Sequence, residues 1–231
     1  MRFHIVSLFP EIYDSFLKTS LMNKAIEGSL ISFSFTNPRT FCPDKHQQVD
    51  DEIYGGGAWM LMKAKPLIDA VESIIENKKL TIKNSAWRIV FMSPSEKIFN
   101  QGVAYQYAGD LQNIIFVCGR YEGIDYRFEQ YMQDKYGDCF EKMSLGQFVT
   151  LGGELPSMVV IEAVARLVPW VIKEEASHLL ESYDPAQNMS NLEYPQYTRP
   201  EEVYGLKVPE VLLSGHHAEI EKRRKAQTKS L

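Results

Sequence analysis

Short β-rich apolar runs, each stopped by a proline or glycine and each followed by helix-like spacing, constrain this chain more than any other feature. Arg2 to Leu8 is such a run and ends at Pro10. Trp87 to Met92 is stopped by Ser93-Pro94, Asn113 to Cys118 by Gly119, and Phe148 to Leu151 by Gly152-Gly153. Leu30 to Phe35 alternates apolar and polar residues as a strand does, and Asn37-Pro38 ends it. Between the runs lie helical patterns. Ile12, Phe16, Leu17, Met22 and Ile26 mark Glu11 to Ile26, with Gly28 as the stop, and a helix near Pro66 continues through Leu67 to Ile75. Strands that alternate with helices pair in parallel, so the fold class is α/β. In such folds ligands bind at the carboxyl ends of the strands.

Two stretches break the rhythm. Thr40 to Trp59 has little periodicity and ends in Gly55-Gly56-Gly57, so it reads as a long functional loop. Ala176 to Pro200 is rich in Asn, Ser, Pro and Tyr and reads as a linker. The expected organisation is a first domain over residues 1–175, a linker over 176–200 and a small helical domain over 201–231.

Composition excludes several classes. With 45% hydrophobic and 24% charged residues, this is an ordinary folding chain, neither disordered nor collagen-like. The three cysteines are far apart without a CxxC pair, which excludes a disulfide framework and a paired-ligand zinc site and points to a reducing compartment. The first ten residues are too short and polar for a signal peptide. Leu155 to Ile172 is apolar but contains Glu162 and Arg166, so a core helix is expected rather than a membrane span. From Leu212 onward, five basic residues stand against Glu219 and Glu221, in a chain of net charge −5. An acidic body with a basic end is compatible with nucleic acid held by one region, but taken alone it fits a solvated last helix better.

Three strand-end loops carry the unusual residues: Ser93-Pro94, Cys118 to Gly123, and Leu145-Gly146 through Pro156. Glycine lets a ligand approach the backbone, whose N–H and C=O groups then read its polar edges. The glycines could equally make tight turns only; if a ligand lies against Gly119 and Gly152, neither should admit a side chain. No GxGxxG or GxxxxGK[ST] occurs, so neither a dinucleotide site nor a P-loop is supported.

With those loops in view, the sequence resembles the bacterial tRNA (guanine-N1)-methyltransferases, of the knotted SPOUT class. The resemblance runs through SLFP (Ser7 to Pro10), VDD (Val49 to Asp51), YGGG (Tyr54 to Gly57) and MLM (Met60 to Met62). It continues through CGRYEGID (Cys118 to Asp125), GGELP (Gly152 to Pro156), YTRP (Tyr197 to Pro200) and VLLSG (Val211 to Gly215). It implies a parallel sheet with a deep trefoil knot, a rare exception to the rule against threaded chains. It also implies bound S-adenosylmethionine, an obligate homodimer with shared active sites, no membrane partner and a cytoplasmic location. The implied reaction is methylation at N1 of the guanosine just 3′ of the anticodon in tRNA. Magnesium is implied only as an activator without a fixed protein site.

The resemblance also assigns residues. Cofactor contacts fall on Phe91, Ser93, Pro94, Gly119, Tyr121, Glu122, Leu145, Gly146, Phe148, Gly152 and Gly153. Arg166 is the implied cation beside guanine O6, although spacing alone favours an i, i+4 ion pair with Glu162. An ungapped alignment over Glu175 to Ser177 puts Glu181 at the position of the catalytic base, with Asp184 in reserve. Guanine and tRNA contacts fall on Arg39, His46, Asp50, Tyr54, Gly55, Gly56, Gly57 and Ser177, then on Tyr197, Arg199, Ser214, His217, Arg223 and Arg224. The chain departs from the family at Trp59, in place of a glycine, at Ser95-Glu96 where Gln-Gly is preferred, and at Gln147-Phe148 where Asp-Tyr is usual. A second reading, favoured by Trp59 and Glu181, is a catalytically weakened RNA-binding relative that keeps the fold. A third, a small-molecule nucleotide enzyme, has no phosphate motif and no use for the basic end.

Overall fold

A computed structural model describes residues 1–56, 59–83, 86–172, 182–183 and 191–230 of the chain. Its residues fall into two compact units, Met1–Lys173 and Glu174–Leu231.

The first unit is built on a five-stranded sheet in which every pairing is parallel. Its strands are β1 (Arg2–Val6), β2 (Ser32–Thr36), β5 (Trp87–Met92), β6 (Asn113–Cys118) and β7 (Phe140–Met143), in the order β2-β1-β6-β5-β7. All six residues of the central strand β6 are buried. That is why it reads as an unbroken apolar run, since a strand covered on both faces has no polar side. Alternate residues feed two cores. Ile115, Val117, Ile89 and Phe91 pack with α3 (Ala64–Lys78) and α5 (Arg127–Tyr136). Ile114, Phe116, Val90 and Met92 pack on the other face with α4 (Gln101–Asp110) and α6 (Glu154–Ala165). Asn100 caps α4, its side-chain oxygen accepting from the Val103 N–H at 3.1 Å.

Four expectations from the sequence need correction. The strand placed at Phe148 to Leu151 is instead Phe140–Met143. Phe148, Val149 and Leu151 are 55%, 84% and 90% exposed and unpaired with the sheet, so their apolar character marks an open surface loop. The true strand was hidden by Glu141 and Lys142 at its centre. Secondly, the helix expected over Glu11 to Ile26 is broken into a 3-10 turn (Pro10–Tyr13), α1 (Asp14–Leu17) and α2 (Ser20–Glu27), with Ser20 at φ 43°. Thirdly, the long early loop contains a hairpin, β3 (Asp50–Glu52) against β4 (Met60–Met62), paired antiparallel from Asp50↔Met62.

Lastly, the second unit is mixed rather than purely helical. It pairs β8 (Asn191–Leu192) with β11 (Lys229–Ser230), and β9 (Glu202–Val203) with β10 (Leu206–Lys207). Tyr204 and Gly205, both at positive φ, make the two-residue turn between β9 and β10. The helices α7 (Glu210–Leu213) and α8 (His217–Gln227) complete it. Among its described residues only Asn191 is buried, so those residues form no apolar core.

Candidate functional site

The carboxyl ends of β5, β6 and β7 open into one cavity of about 360 Å³. Three loops enclose it: residues 93–95 after β5, 119–124 after β6, and 144–153 after β7. Each loop is tied to another. The Ser93 N–H donates to the Met143 carbonyl at 2.9 Å, and the Ser144 hydroxyl donates to the Pro94 carbonyl at 3.3 Å. The Gly153 N–H donates to the Gly119 carbonyl at 3.0 Å. The middle loop is also stitched to β4, where Met62 N–H donates to the Gly123 carbonyl at 3.0 Å and Asp125 N–H to the Met62 carbonyl at 2.9 Å.

Behind the cavity a buried polar chain fixes the start of α6. The Glu154 side chain is 1% exposed and accepts from the Ser7 hydroxyl at 2.7 Å. Its other oxygen lies 2.9 Å from Arg120 Nε, as an ion pair rather than an aligned hydrogen bond. The Arg120 guanidinium also lies 4.7 Å over the Phe9 ring. Deeper still, the Tyr13 hydroxyl is 2.5 Å from the Ser157 hydroxyl and 3.5 Å from Cys118 Sγ. Burial, with the Glu154 charge behind it, pushes the Cys118 thiol up to about 12, so this cysteine is an inert core residue.

Ten of the eleven residues expected to hold the cofactor line this cavity: Phe91, Ser93, Pro94, Gly119, Tyr121, Glu122, Leu145, Phe148, Gly152 and Gly153. Gly146 is not in its wall; at φ 148° it turns the chain, and a methyl there would press on Phe148 at 3.2 Å. The glycines divide by cause. A Cβ on Gly119 would meet Phe91 at 3.4 Å and Ile124 at 3.5 Å, ordinary contacts that would fill the cradle. A Cβ on Gly152 would collide with the Arg120 side chain and come 2.7 Å from Glu154 Oε2. One on Gly153 would lie 2.7 Å from Cys118 Cα. Gly152 and Gly153 are therefore fixed by chain packing, and the ligand-contact reason fits Gly119.

The cavity suits an adenosyl sulfonium. Among the described residues neither the Tyr121 N–H nor the Leu145 N–H donates a hydrogen bond within the chain, leaving two backbone donors for a purine or ribose. Glu122 supplies negative charge for a cationic ligand, and Phe91 and Phe148 supply flat apolar surface. Among the described residues no group of three His, Cys, Asp or Glu side chains is placed to hold a metal ion.

Other expected residues lie elsewhere. Arg166 ends α6, half-buried, and is not in the cavity wall; its N–H donates to the Glu162 carbonyl at 3.2 Å. Arg39 sits in the turn after β2, Asp50 begins β3, and His46 is exposed in the loop between them. Tyr54 is 96% exposed at the tip of the β3–β4 hairpin beside Gly55 and Gly56, both at positive φ. Trp59 is 60% exposed and is not part of the cavity wall, so the indole does not fill the pocket. Gly57, Ser177, Glu181 and Asp184 lie outside the described residues. In the second unit Ser214, just after α7, and His217, the first residue of α8, are exposed. Tyr197, Arg223 and Arg224 share a cavity of about 190 Å³ with Tyr194, over which the Arg224 guanidinium stacks at 5.2 Å. Arg199 is exposed nearby in sequence.

The family model described as tRNA (Guanine-1)-methyltransferase TrmD matches residues 1–230. This chain belongs to that family. Among curated relatives, a tRNA (guanine-N(1)-)-methyltransferase of Treponema denticola is 45% identical over 97% of this chain and 84% of its own length. Those of Carboxydothermus hydrogenoformans and Clostridioides difficile are 43% and 40% identical over 99% of this chain, covering 83% and 92% of their own lengths. Family membership makes the strand-end cavity the place to seek methyl-donor binding. Sequence reasoning assigns Arg120, Glu129 and Glu154 no role, although Arg120 and Glu154 stand inside the motifs CGRYEGID and GGELP. A charged residue among glycines was the available signal.

Proposed function

We propose that the protein is an S-adenosylmethionine-dependent enzyme that methylates N1 of the guanosine just 3′ of the anticodon in tRNA. The observation that carries this reading is the convergence of three strand-end loops on one cavity, in a chain of this family. When bound, S-adenosylmethionine supplies an electrophilic methyl group. Tyr121 and Leu145 would donate backbone hydrogen bonds to it, and Gly119 would leave room for it against Phe91 and Ile124.

Guanine N1 carries a proton at neutral pH and is a poor nucleophile until it leaves. Glu181, or Asp184 if the linker aligns differently, would take that proton, and Arg166 would stabilise the charge that develops on O6. Since Arg166 is not in the cavity wall, the reading includes a homodimer in which one protomer completes the site of its partner. It also includes the trefoil knot. Gly152-Gly153 lies hard against Cys118-Gly119, a close approach of strand-end loops that such a knot would need. The second unit would grip the anticodon branch through Tyr197, Arg199, Ser214, His217, Arg223 and Arg224. Arg39, His46, Asp50 and Tyr54 to Gly57, with Ser177, would close over the guanine. Magnesium would act without a fixed protein site, and the enzyme would work in the cytoplasm. The exposed Trp59 leaves the cavity open, which favours an active enzyme over a weakened RNA-binding relative.

Single-turnover methyl transfer to tRNA bearing that guanosine is the test. Glu181→Gln should lower the rate by about 10²-fold or more, the usual scale for general-base catalysis. Binding of S-adenosylmethionine and tRNA should hardly change. Loss on Asp184→Asn with retention on Glu181→Gln would move the role to Asp184. No transfer by the parent chain would refute the proposed activity.

A further inference from the structure

Lys142 stands on β7 beside Phe91 of β5 in the parallel register, and Phe91 lines the cavity. Its ammonium lies 2.9 Å from Glu96 Oε1 and 3.0 Å from Glu129 Oε2. Glu96 belongs to the loop that carries Ser93, Pro94 and Ser95 into the cavity wall, and Glu129 enters the wall from a different element, α5. One lysine therefore ties two elements of the same cavity wall. The Lys142 and Glu129 side chains are only 20% and 18% exposed, whereas Glu96 is 46% exposed. Burial works against the charge on Lys142, yet the two carboxylates hold its pKa above the ordinary lysine value. An isolated exposed pair contributes little, but a network with shielded members resists both salt and rearrangement. The strap also accounts for a glutamate at position 96, in a loop where a glycine would carry no partner for Lys142.

We infer that Lys142 is a positioning residue for cofactor binding. It holds the loop 93–97 and α5 at a fixed separation, so that the cavity is formed before its ligand enters. The energy of ordering that loop is then not drawn from the binding step. This inference rests on the reading of the cavity as the S-adenosylmethionine site.

The test uses the full chain and two readouts. Lys142→Met should weaken S-adenosylmethionine binding by calorimetry on the order of tenfold, a factor expected for about one lost tether. It should also speed amide hydrogen exchange across residues 93–97 in the ligand-free protein. Lys142→Arg should retain both properties. Glu96→Gln should weaken binding by roughly threefold in the parent and have no further effect in the Lys142→Met background, because both changes cut one strap. Methyl transfer at saturating cofactor should persist in Lys142→Met, separating placement of the cofactor from the chemical step.

Unchanged exchange at residues 93–97 in Lys142→Met would overturn the inference whatever the affinity. Parental affinity in that variant, or equal Glu96→Gln penalties in both backgrounds, would do the same. If Lys142→Met does not fold, the exposed Glu96→Gln change decides alone, and unchanged exchange and affinity there refute the strap. If the parent fails to bind S-adenosylmethionine while exchange still accelerates in the variant, the cofactor reading falls and the strap stands.

Discussion

Replacing Gly153 with alanine should destabilise the fold, because the added methyl meets backbone rather than a movable side chain. The added carbon would sit 2.7 Å from Cys118 Cα, 3.2 Å from Cys118 Cβ and 3.2 Å from the Gly119 nitrogen. Comfortable carbon contacts lie at about 3.5–4.0 Å, so the worst overlap is roughly 1 Å. None of these atoms is the tip of a flexible side chain. Cys118 ends the buried central strand, and Gly153 begins the contact with α6. Relief requires α6 to back away, which stretches the 3.0 Å bond from the Gly153 N–H to the Gly119 carbonyl. Overpacking typically costs about 1–3 kcal/mol, and a lost backbone bond adds about 1 kcal/mol. Together they come to about 2–4 kcal/mol, or roughly 4–16 °C in Tm for a chain of this length. Gly109 is the control. It lies within α4 with nothing inside 4 Å of an added methyl, so alanine there should stabilise by about 0.5–1 kcal/mol through helix propensity. Gly119→Ala separates fold from site: its contacts at 3.4 to 3.6 Å are tolerable, so stability should stay near the parent while cofactor affinity falls. Urea unfolding followed by circular dichroism, with S-adenosylmethionine titrations, measures all three. A Gly153→Ala protein as stable as Gly109→Ala would refute the packing argument.

Two further outcomes follow from charge. Reversing Arg223 and Arg224 to Glu should weaken tRNA binding and reduce the magnitude of its logarithmic salt slope by about 2, one for each lost phosphate contact. An unmoved slope would mean that the basic end is only a solvated helix. His4 is 2% exposed, and burial holds its pKa below the ordinary value of 6.5 despite the Asn113 contact at 3.2 Å. Below pH 6.5 the unfolded chain therefore binds more protons at this group, and stability should fall with pH until the folded pKa is passed. The contribution has a limiting slope of about 1.4 kcal/mol per pH unit. His4→Gln should flatten that part of the stability profile, measured by urea unfolding at stepped pH.

The α/β class was legible because the buried strands β1, β5 and β6 carry mostly apolar, β-rich runs, broken only by residues such as Arg2, His4 and Arg88 and followed closely by Gly or Pro. Two of the cavity loops were legible from their glycines, Gly119 to Gly123 and Gly146 to Gly153, while the loop after β5 was marked by Ser93-Pro94. What failed was the edge. The last strand, β7, has a neighbour on one side only and carries Glu141 and Lys142 at its centre, so its pattern resembles that of a solvated turn. Those polar residues are partnered in space, Glu141 by the Tyr107 hydroxyl at 2.6 Å and Lys142 by Glu96 and Glu129. Sequence periodicity sees polarity but not partners. The loop that mimics a strand in sequence, Phe148 to Leu151, is apolar yet exposed, as a cavity lip or a subunit contact can be. The strands of the small second unit escape detection because its short pairings, two residues each, leave no periodicity to read.

Arg120 and Glu154 show why fold and site cannot be taken apart at this crossing. A carboxylate 1% exposed at the first turn of α6 needs compensation, which the Ser7 hydroxyl, the helix N-terminus and Arg120 supply together. Arg120 can reach it only because Gly152 has no side chain; a Cβ there would occupy the place of the guanidinium stem. The same arginine lines the cavity and lies over Phe9, next to the Ser7 that holds the other carboxylate oxygen. Cutting this pair would strand a buried charge, a loss of about 3–5 kcal/mol that would release the loops enclosing the cavity. A loss of methyl transfer on changing Arg120 or Glu154 would therefore measure the integrity of the crossing. The chemistry itself is tested only by residues such as Glu181, whose change should leave the folded cavity in place.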